Sequence, residues 1–198
     1  MRAKIEGGVA SVLQESIGSQ YIRRLSEILE SWDDSCLVRA YDVLCTARNS
    51  ESNVFIIGNG GSAATASHMA TDFGVGGPGK SGLRAIALTD NNAVLTAIGN
   101  DHGYDAVFTR QLNLLAKSGD VLICISASGN SPNIIRAIEV ARNLGVTTVG
   151  FSGFDGGQLR ELVDVSIHVP SVSGEYGPVE DMHLIINHAL TLWLRSEA

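Results

Sequence analysis

Several features are scarce in this sequence, and each scarcity excludes a class of protein. Charged residues make up 18% of the 198 positions and hydrophobic residues 44%, which excludes a disordered chain and indicates a globular protein with one or two domains. No apolar run approaches the roughly 18 residues of a membrane span. The N-terminal segment lacks the continuous apolar region of a secretory signal peptide. We therefore expect a cytoplasmic protein that does not act in a membrane.

Cysteine and positive charge are also in short supply. The three cysteines, Cys36, Cys45 and Cys124, are scattered and form no CxxC pair, which is typical of reduced core thiols in a cytoplasmic protein. The net charge of −7 argues against nonspecific nucleic-acid binding, for which a basic patch is the usual footprint. Nucleic acid is therefore not an expected partner.

The chain divides into a helical N-terminal part and an alternating remainder. Residues 5–49 contain no proline and carry apolar residues at helical spacing, which predicts two helices with a break near 32–35, where Asp34 or Ser35 is the N-cap. From Asn53 onward, apolar runs predict strands at 54–57, 85–88, 121–125, 148–151 and 165–169. Helices are predicted between and after them, at 62–74, 91–99, 105–117, 131–144, 157–163 and 179–195. We interpret residues 1–50 as a helical pair that belongs to the same unit as an α/β domain at 51–198, and that makes oligomer contacts.

The stretch 74–81, GVGGPGKS, matches the spelling of a nucleotide-binding P-loop. A P-loop follows a strand and opens a helix, but here a predicted helix precedes the glycines and a predicted strand follows them. We interpret the stretch as a flexible connector from which Lys80 reaches a phosphate only as a point charge. A P-loop kinase or GTPase is thereby disfavoured, and the missing G-x-G-x-x-G pattern disfavours a dinucleotide site.

Two other loops have the context that the P-loop spelling lacks. Residues 57–64, IGNGGSAA, leave a predicted strand and open a helix, with Ser62 as the expected N-cap. Residues 125–132, ISASGNSP, leave another strand, and Ser131 followed by Pro132 predicts an N-cap with proline at the first helical position. Hydroxyl groups and a helix N-terminus without lysine or arginine suit a single phosphate monoester. Ordinary helix capping is the alternative interpretation of both loops.

Carboxylates and imidazoles are concentrated on two predicted helices. His68 and Asp72 are four residues apart and share one face of the helix after the first loop. Glu180, Asp181, His183 and His188 lie on the last predicted helix. Two such sets in one domain support acid–base chemistry or a metal site, although a single histidine is more often a hydrogen-bonded or solvent-facing residue.

The segments GNGGSA and SxSGNS at this spacing resemble the SIS (sugar isomerase) fold. Within that fold, GNGGSAATASHMATDF, AIGNDHGYDAVFTRQ and EDMHLIINH resemble the phosphoheptose isomerases. The resemblance implies a three-layer α/β/α architecture with a five-stranded parallel sheet. It also implies the interconversion of sedoheptulose 7-phosphate and a heptose 7-phosphate through an enediol, in a homotetramer whose sites are shared between chains.

The resemblance assigns roles residue by residue. Asp72 would be the catalytic base and His188 the partner acid. A zinc ion would be held by His68, Asp72, Glu180 and His188. The substrate-binding residues would be Asp72 and Glu180, with Ser126, Ala127, Ser128 and Ser131 at the phosphate and Asn59, Gly60, Gly61, Ser62, Asn100 and Asp101 at the sugar.

Four departures from the family pattern accompany the resemblance. Asp72 stands where glutamate is usual, Glu180 where glutamine is usual, and Ala127 where threonine is common. The stretch 76–82 lacks the arginines that are often near the sugar, so that only Lys80 and Arg84 are available. We interpret the two carboxylate changes as raising metal affinity, because clustered carboxylates repel each other without a cation.

Two further interpretations concern what lies outside this site. His102, Tyr104, Arg110 and Gln111 are expected at the surface or in subunit contacts. The alternative function is a noncatalytic SIS protein that binds a sugar phosphate or a replication-initiator-type protein partner. Such a protein has no need of both the Asp72 and His188 groups, which this chain has.

Overall fold

Strands alternate with helices from residue 53 onward, after two consecutive helices. The computed structural model describes residues 16–76 and 82–196. The strands are β1 Asn53–Gly58, β2 Arg84–Ala87, β3 Val121–Ser126, β4 Thr147–Ser152 and β5 Val165–His168. The helices are α1 Ile17–Ser31, α2 Cys36–Asn49, α3 Gly61–Val75, α4 Asn92–His102, α5 Thr109–Leu115, α6 Pro132–Asn143, α7 Gly157–Leu162 and α8 Tyr176–Ser196, with a short 3-10 turn, Tyr104–Ala106, before α5.

The five strands form one parallel sheet in the order β2-β1-β3-β4-β5, which confirms the predicted α/β architecture. Val54 of β1 pairs with Val121 of β3, and Val121 pairs with Thr147 of β4. The central strands are apolar and almost wholly buried because helices cover both faces of a parallel sheet. The winding of the chain reverses between β1 and β3, and ligands of such sheets bind at the carboxyl ends of the strands beside this switch point.

Alternate strand residues feed two apolar clusters, one on each face of the sheet. Ile56, Ile123 and Phe151 point to the face covered by α2, α3 and α8. Phe55 and Leu122 point to the opposite face, covered by α5 and α6. Five buried residues of α2 belong to the first cluster, so α2 packs on the same core as the sheet: Leu37, Ala40, Tyr41, Leu44 and Ala47.

Most of the predicted elements are present, with two corrections. The predicted helix at 105–117 is split into the 3-10 turn and α5, because Val107 and Phe108 turn into the core between them. Ser62 is not the N-cap of α3, which is capped by Gly60 at φ 55° and ψ −122°. Only glycine adopts that backbone easily, and the helix begins two residues earlier than a cap at Ser62 would place it.

The helix break predicted near 32–35 is confirmed between α1 and α2. Ser35 is the N-cap of α2, but its side chain makes no capping bond. The Asp33 carboxylate instead accepts hydrogen bonds from the Ser35 N–H and hydroxyl, both at 2.9 Å. The part of the predicted first helix before residue 16 lies outside the described residues.

The order of elements around the P-loop spelling is also confirmed. Helix α3 ends at Val75 and β2 begins at Arg84, so a helix precedes the glycines and a strand follows them. Residues 77–81, including Lys80, lie outside the described residues. Among the helices that the structure describes, none combines the length and the apolar character needed to cross a membrane.

Candidate active site

The two loops singled out in the sequence lie side by side at the carboxyl ends of β1 and β3. Asn59, which follows β1, and Asn133, in the first turn of α6, form a reciprocal amide pair with two hydrogen bonds of 2.9 Å. The Tyr104 hydroxyl donates to Asn59 Oδ1, also at 2.9 Å. The pair holds the two loops together, because each amide satisfies the other within a half-buried site.

The loop after β3 is shaped by its glycine and leaves its hydroxyls free of capping. Gly129 has φ +63°, and a Cβ there would lie 1.9 Å from the Gly156 carbonyl oxygen, so only glycine fits. Ser131 is the N-cap of α6 with Pro132 at the first helical position, as predicted. Its side chain makes no capping bond and instead lies 3.3 Å from the Ser126 hydroxyl. The Ser131 hydroxyl therefore lies beside a helix N-terminus without capping it, a position from which a hydroxyl can bond an anion.

Two neighbours of these serines have structural tasks in the same loop. Asn130 donates to the Ser128 carbonyl oxygen at 3.0 Å and accepts from the Gln158 N–H at 3.1 Å, which ties the loop to α7. Ala127 is buried against Phe154 and Val179, and its carbonyl oxygen accepts from the Gly153 N–H at 2.9 Å. A small apolar side chain at position 127 therefore fits the packing under the loop.

His68, Asp72 and His188 come together where α3 packs on α8. The Nε2 atoms of His68 and His188 are 3.3 Å apart. Asp72 Oδ2 lies 3.3 Å from His68 Nε2 and 3.9 Å from His188 Nε2. The two histidine side chains are about half exposed, whereas 20% of the Asp72 side chain is exposed. The three groups therefore face a shared, solvent-accessible point.

This group has the chemistry of a metal site. Two nitrogens each about 2.0–2.1 Å from a tetrahedral zinc lie about 3.3–3.4 Å apart, which matches the spacing of the two Nε2 atoms. The ligand atoms of His68, Asp72 and His188 all lie within 4.8 Å of one another. Glu180 is not in this group. Its carboxylate lies against Gly61 at the start of α3, where a Cβ would come within 2.3 Å of Oε2.

Asp72 is held from behind by two residues that the sequence did not single out. Asn187 is fully buried, and its Nδ2 donates to Asp72 Oδ2 at 2.8 Å. The Arg195 guanidinium donates to the Asp72 carbonyl oxygen at 2.9 Å. No local pattern in the sequence sets these two residues apart from polar residues on an exposed helix face.

The other polar residues of α8 lie away from the group. Asp181 Oδ2 accepts from the Tyr21 hydroxyl at 2.6 Å. Partial burial, the bond to Asp181, and the charges of Asp181 and Glu180 together raise the pKa of Tyr21 to about 12. His183 is fully buried, with Nε2 3.3 Å from the Ser152 carbonyl oxygen, and burial lowers its pKa to about 4. These two residues connect α8 to α1 and β4.

The predicted sugar-binding residues occupy two places. Gly60, Gly61 and Ser62 form the entry to α3, the glycines exposed and Ser62 buried. Asn100 and Asp101 are exposed at the end of α4, where the Asn100 amide donates to Asp101 at 2.8 Å. The 3-10 turn that follows them carries Tyr104, whose hydroxyl bonds Asn59.

Gln111 is not a surface residue, and that interpretation was wrong. It is 8% exposed, and its amide donates to the carbonyl oxygens of Leu88, at 3.1 Å, and Val107, at 2.8 Å. The amide satisfies two backbone acceptors where the chain passes from β2 toward α5. Tyr104 is exposed as expected, but its hydroxyl reaches the first glycine loop.

Comparison with known proteins defines the class first. A family model described as the SIS domain matches residues 19–153, and this match together with the parallel sheet makes the chain an SIS-domain protein. The phosphoheptose isomerase from Aliarcobacter butzleri is 39% identical over 182 residues, which cover 91% of this chain and 94% of that protein. The chain belongs to the phosphoheptose isomerase family.

Other relatives agree with this assignment. The phosphoheptose isomerase from Burkholderia pseudomallei is 46% identical over 136 residues, 68% of each chain. The solved structure of the phosphoheptose isomerase from Neisseria gonorrhoeae superposes with a TM-score of 0.80 at 32% identity, covering 89% of this chain and 94% of that one. The similarity therefore extends over sequence and fold alike.

Proposed function

We propose that this protein is an aldose–ketose isomerase that converts sedoheptulose 7-phosphate to D-glycero-D-manno-heptose 7-phosphate, or that isomerises a close long-chain ketose phosphate to its own aldose. The observation that carries the proposal is the convergence of Asp72 with His68 and His188, within 3.3–3.9 Å, in a chain of this family. Curated relatives named phosphoheptose isomerase support the same reaction. A binding-only SIS protein is not favoured, because it would need neither the acid nor the base.

The proposed site residues form two groups, one that binds the phosphate and one that transfers protons. Ser126, Ser128 and Ser131, with the N-terminus of α6, bind the phosphate through neutral donors. Asp72 removes the proton from carbon 1 of the ketose and returns it to carbon 2, so that an enediol lies between the two steps. His188 moves a proton between the two oxygens that become carbonyl and hydroxyl. Each such group typically contributes ~10²–10⁴-fold to the rate.

Zinc is the proposed cofactor, held by His68, Asp72 and His188. Nitrogen and oxygen ligands with this spacing suit zinc, which, when bound, polarises carbonyl and hydroxyl oxygens. We assign Glu180 to the sugar side of the site, since its carboxylate lies at Gly61 rather than among the three ligands. Asn59, Gly60, Gly61 and Ser62 line the same entry, and Asn100 and Asp101 are proposed to reach the sugar from α4.

A homotetramer in the cytoplasm is the proposed setting. Apolar side chains are exposed on α1 and α8, including Ile22 at 66% and Leu192 at 70%, and covering them in an assembly would be favourable. The three cysteines are all free, as a reducing compartment would maintain them. Light scattering of the purified protein measures the number of chains, and a monomer would contradict the assembly.

The function is tested by incubating the purified protein with sedoheptulose 7-phosphate, and with shorter and longer ketose phosphates. Aldose phosphate formation is followed with and without a chelator. We expect turnover of the seven-carbon substrate, loss of turnover with the chelator, and recovery when zinc is added back. Absence of turnover on every ketose phosphate, with zinc present, would overturn the proposal.

A further inference from the structure

Behind the proposed site, α8 presents a polar stripe to α3 that the reaction as described does not use. Its members, Asn187, Thr191 and Arg195, follow one another at intervals of four residues on one helix face. Asn187 and Thr191 are buried, and a small cavity beside Asp72 is lined by Thr191 and Arg195. A buried polar stripe in a helix contact is unfavourable unless it makes hydrogen bonds, so its bonds show what it does.

Within the part of the chain that the structure describes, the stripe is only partly satisfied. Asn187 Oδ1, Thr191 Oγ1 and Arg195 Nε are buried without a partner. The bonds that are made converge on Asp72, from Asn187 to the carboxylate and from Arg195 to the carbonyl oxygen. The unpaired amide oxygen of Asn187 is unfavourable, so what Asn187 contributes lies in its hydrogen bond to Asp72.

We propose that Asn187 is a positioning residue that compensates for the short side chain of Asp72. This inference deepens the proposed function and rests on it. A glutamate at 72 would place its carboxylate one methylene further from the backbone of α3. The shorter Asp72 side chain instead accepts a hydrogen bond from Asn187 Nδ2, with 2.8 Å between Nδ2 and Oδ2. The amide fixes the orientation of Oδ2, the oxygen that faces both histidines. Oδ1 accepts no hydrogen bond from the described residues.

The assignment of the two oxygens follows from this contact. Oδ2 is anchored by Asn187 on one side and lies beside His68 Nε2 on the other, as a ligand oxygen with an outer hydrogen-bond donor would. Oδ1 is then free to take the substrate proton. Without the Asn187 amide, the Asp72 carboxylate can rotate about its Cβ–Cγ bond. Oδ2 would then no longer be the oxygen reserved for the histidines, nor Oδ1 the one reserved for the substrate proton.

A double-mutant cycle on Asp72 and Asn187 tests the pairing. Co²⁺ serves as the probe of the proposed zinc site. We expect N187L to lower kcat and the affinity for Co²⁺, each by roughly 10–100-fold, as changes to residues behind a metal ligand typically do, while KM stays unchanged. D72E alone should also lose activity, because a carboxylate held by the Asn187 amide and one methylene longer no longer faces both histidines. D72E/N187L should recover most of kcat and of Co²⁺ affinity, since the longer acid then reaches without the amide.

Controls separate positioning from folding. T191V removes a buried hydroxyl one turn along the same face and should leave kcat and Co²⁺ affinity unchanged, whatever it does to the melting temperature. If N187L fails to fold, N187S supplies the same readouts. Unchanged kcat and Co²⁺ affinity in N187L, or strictly additive losses in D72E/N187L, would overturn the proposal. If wild-type protein turns over no ketose phosphate, the proposed function fails, whereas the Co²⁺ titrations still decide the pairing.

Discussion

The loop after β3 and the group of His68, Asp72 and His188 are constructed in opposite ways. The loop is six consecutive residues, 126–131, whose donors are neutral and whose shape depends on one glycine with positive φ. The group is charged, and its two histidines are 120 residues apart on α3 and α8. The loop is one continuous stretch of chain that bonds to Gly153 and Gln158 further along, whereas the group exists only while two helices are packed together.

The two regions suit different parts of the proposed reaction. A neutral loop at a helix N-terminus recognises an unchanging phosphate, a task that needs no movement of protons. The reacting end of the sugar needs groups that accept and release protons, and these lie where α3 meets α8. Changes in the two regions should therefore have separable effects on KM and kcat.

The largest expected effect comes from the reacting pair. D72N and H188Q each remove a proton acceptor while staying close to the size of the original side chain, and we expect kcat to fall by about 10²–10⁴-fold. The KM should stay close to the wild-type value because the phosphate loop is intact. Steady-state kinetics and the melting temperature of each variant check this. Full turnover by both variants would remove the catalytic assignment.

A smaller effect, on binding, is expected from the loop. S128A and S131A each remove one hydroxyl that would bond the charged phosphate, which should raise KM by about ten-fold or more at unchanged kcat. S26A is a matched control, because the Ser26 hydroxyl bonds the Ile22 carbonyl oxygen within α1, away from the site. A fall in kcat without a change in KM would show that the loop does not bind the phosphate of the substrate.

The smallest effect concerns His183, which shares α8 with His188 but serves the fold. Burial lowers the pKa of His183 to about 4, below its usual value of 6.5. Between pH 4 and pH 6.5 the unfolded chain therefore binds a proton at His183 that the folded chain does not bind. Its contribution to stability is therefore complete above pH 6.5 and is lost as the pH falls toward 4, by at most about 1.4 kcal/mol per pH unit.

Urea unfolding of wild type and H183F between pH 7 and pH 4 measures this contribution. We expect H183F to be less sensitive to acid than wild type, since phenylalanine cannot titrate. Identical slopes in the two proteins would place the acid sensitivity elsewhere, for example at His168, whose pKa burial also lowers.

The sequence predicted well whatever depends on neighbours along the chain. Apolar runs followed by glycine and serine predicted β1 and β3 with their loops, and Ser131 with Pro132 predicted the start of α6. The i, i+4 spacing predicted that His68 and Asp72 share a face. It could not predict Asn187 or the buried state of Gln111, because neither residue differs locally from one on an exposed helix face.

Taken alone, the sequence determined the order of strands and helices, the parallel sheet and the chemical character of the loop after β3, since short-range backbone preferences and apolar periodicity decide these. Tertiary structure alone decided which residues of α8 meet Asp72. Helix α8 packs against α1, α2 and α3, so its rotation is set by all three contacts at once. That rotation turns His188 toward the site, buries His183 behind β4 and leaves Glu180 beside Gly61.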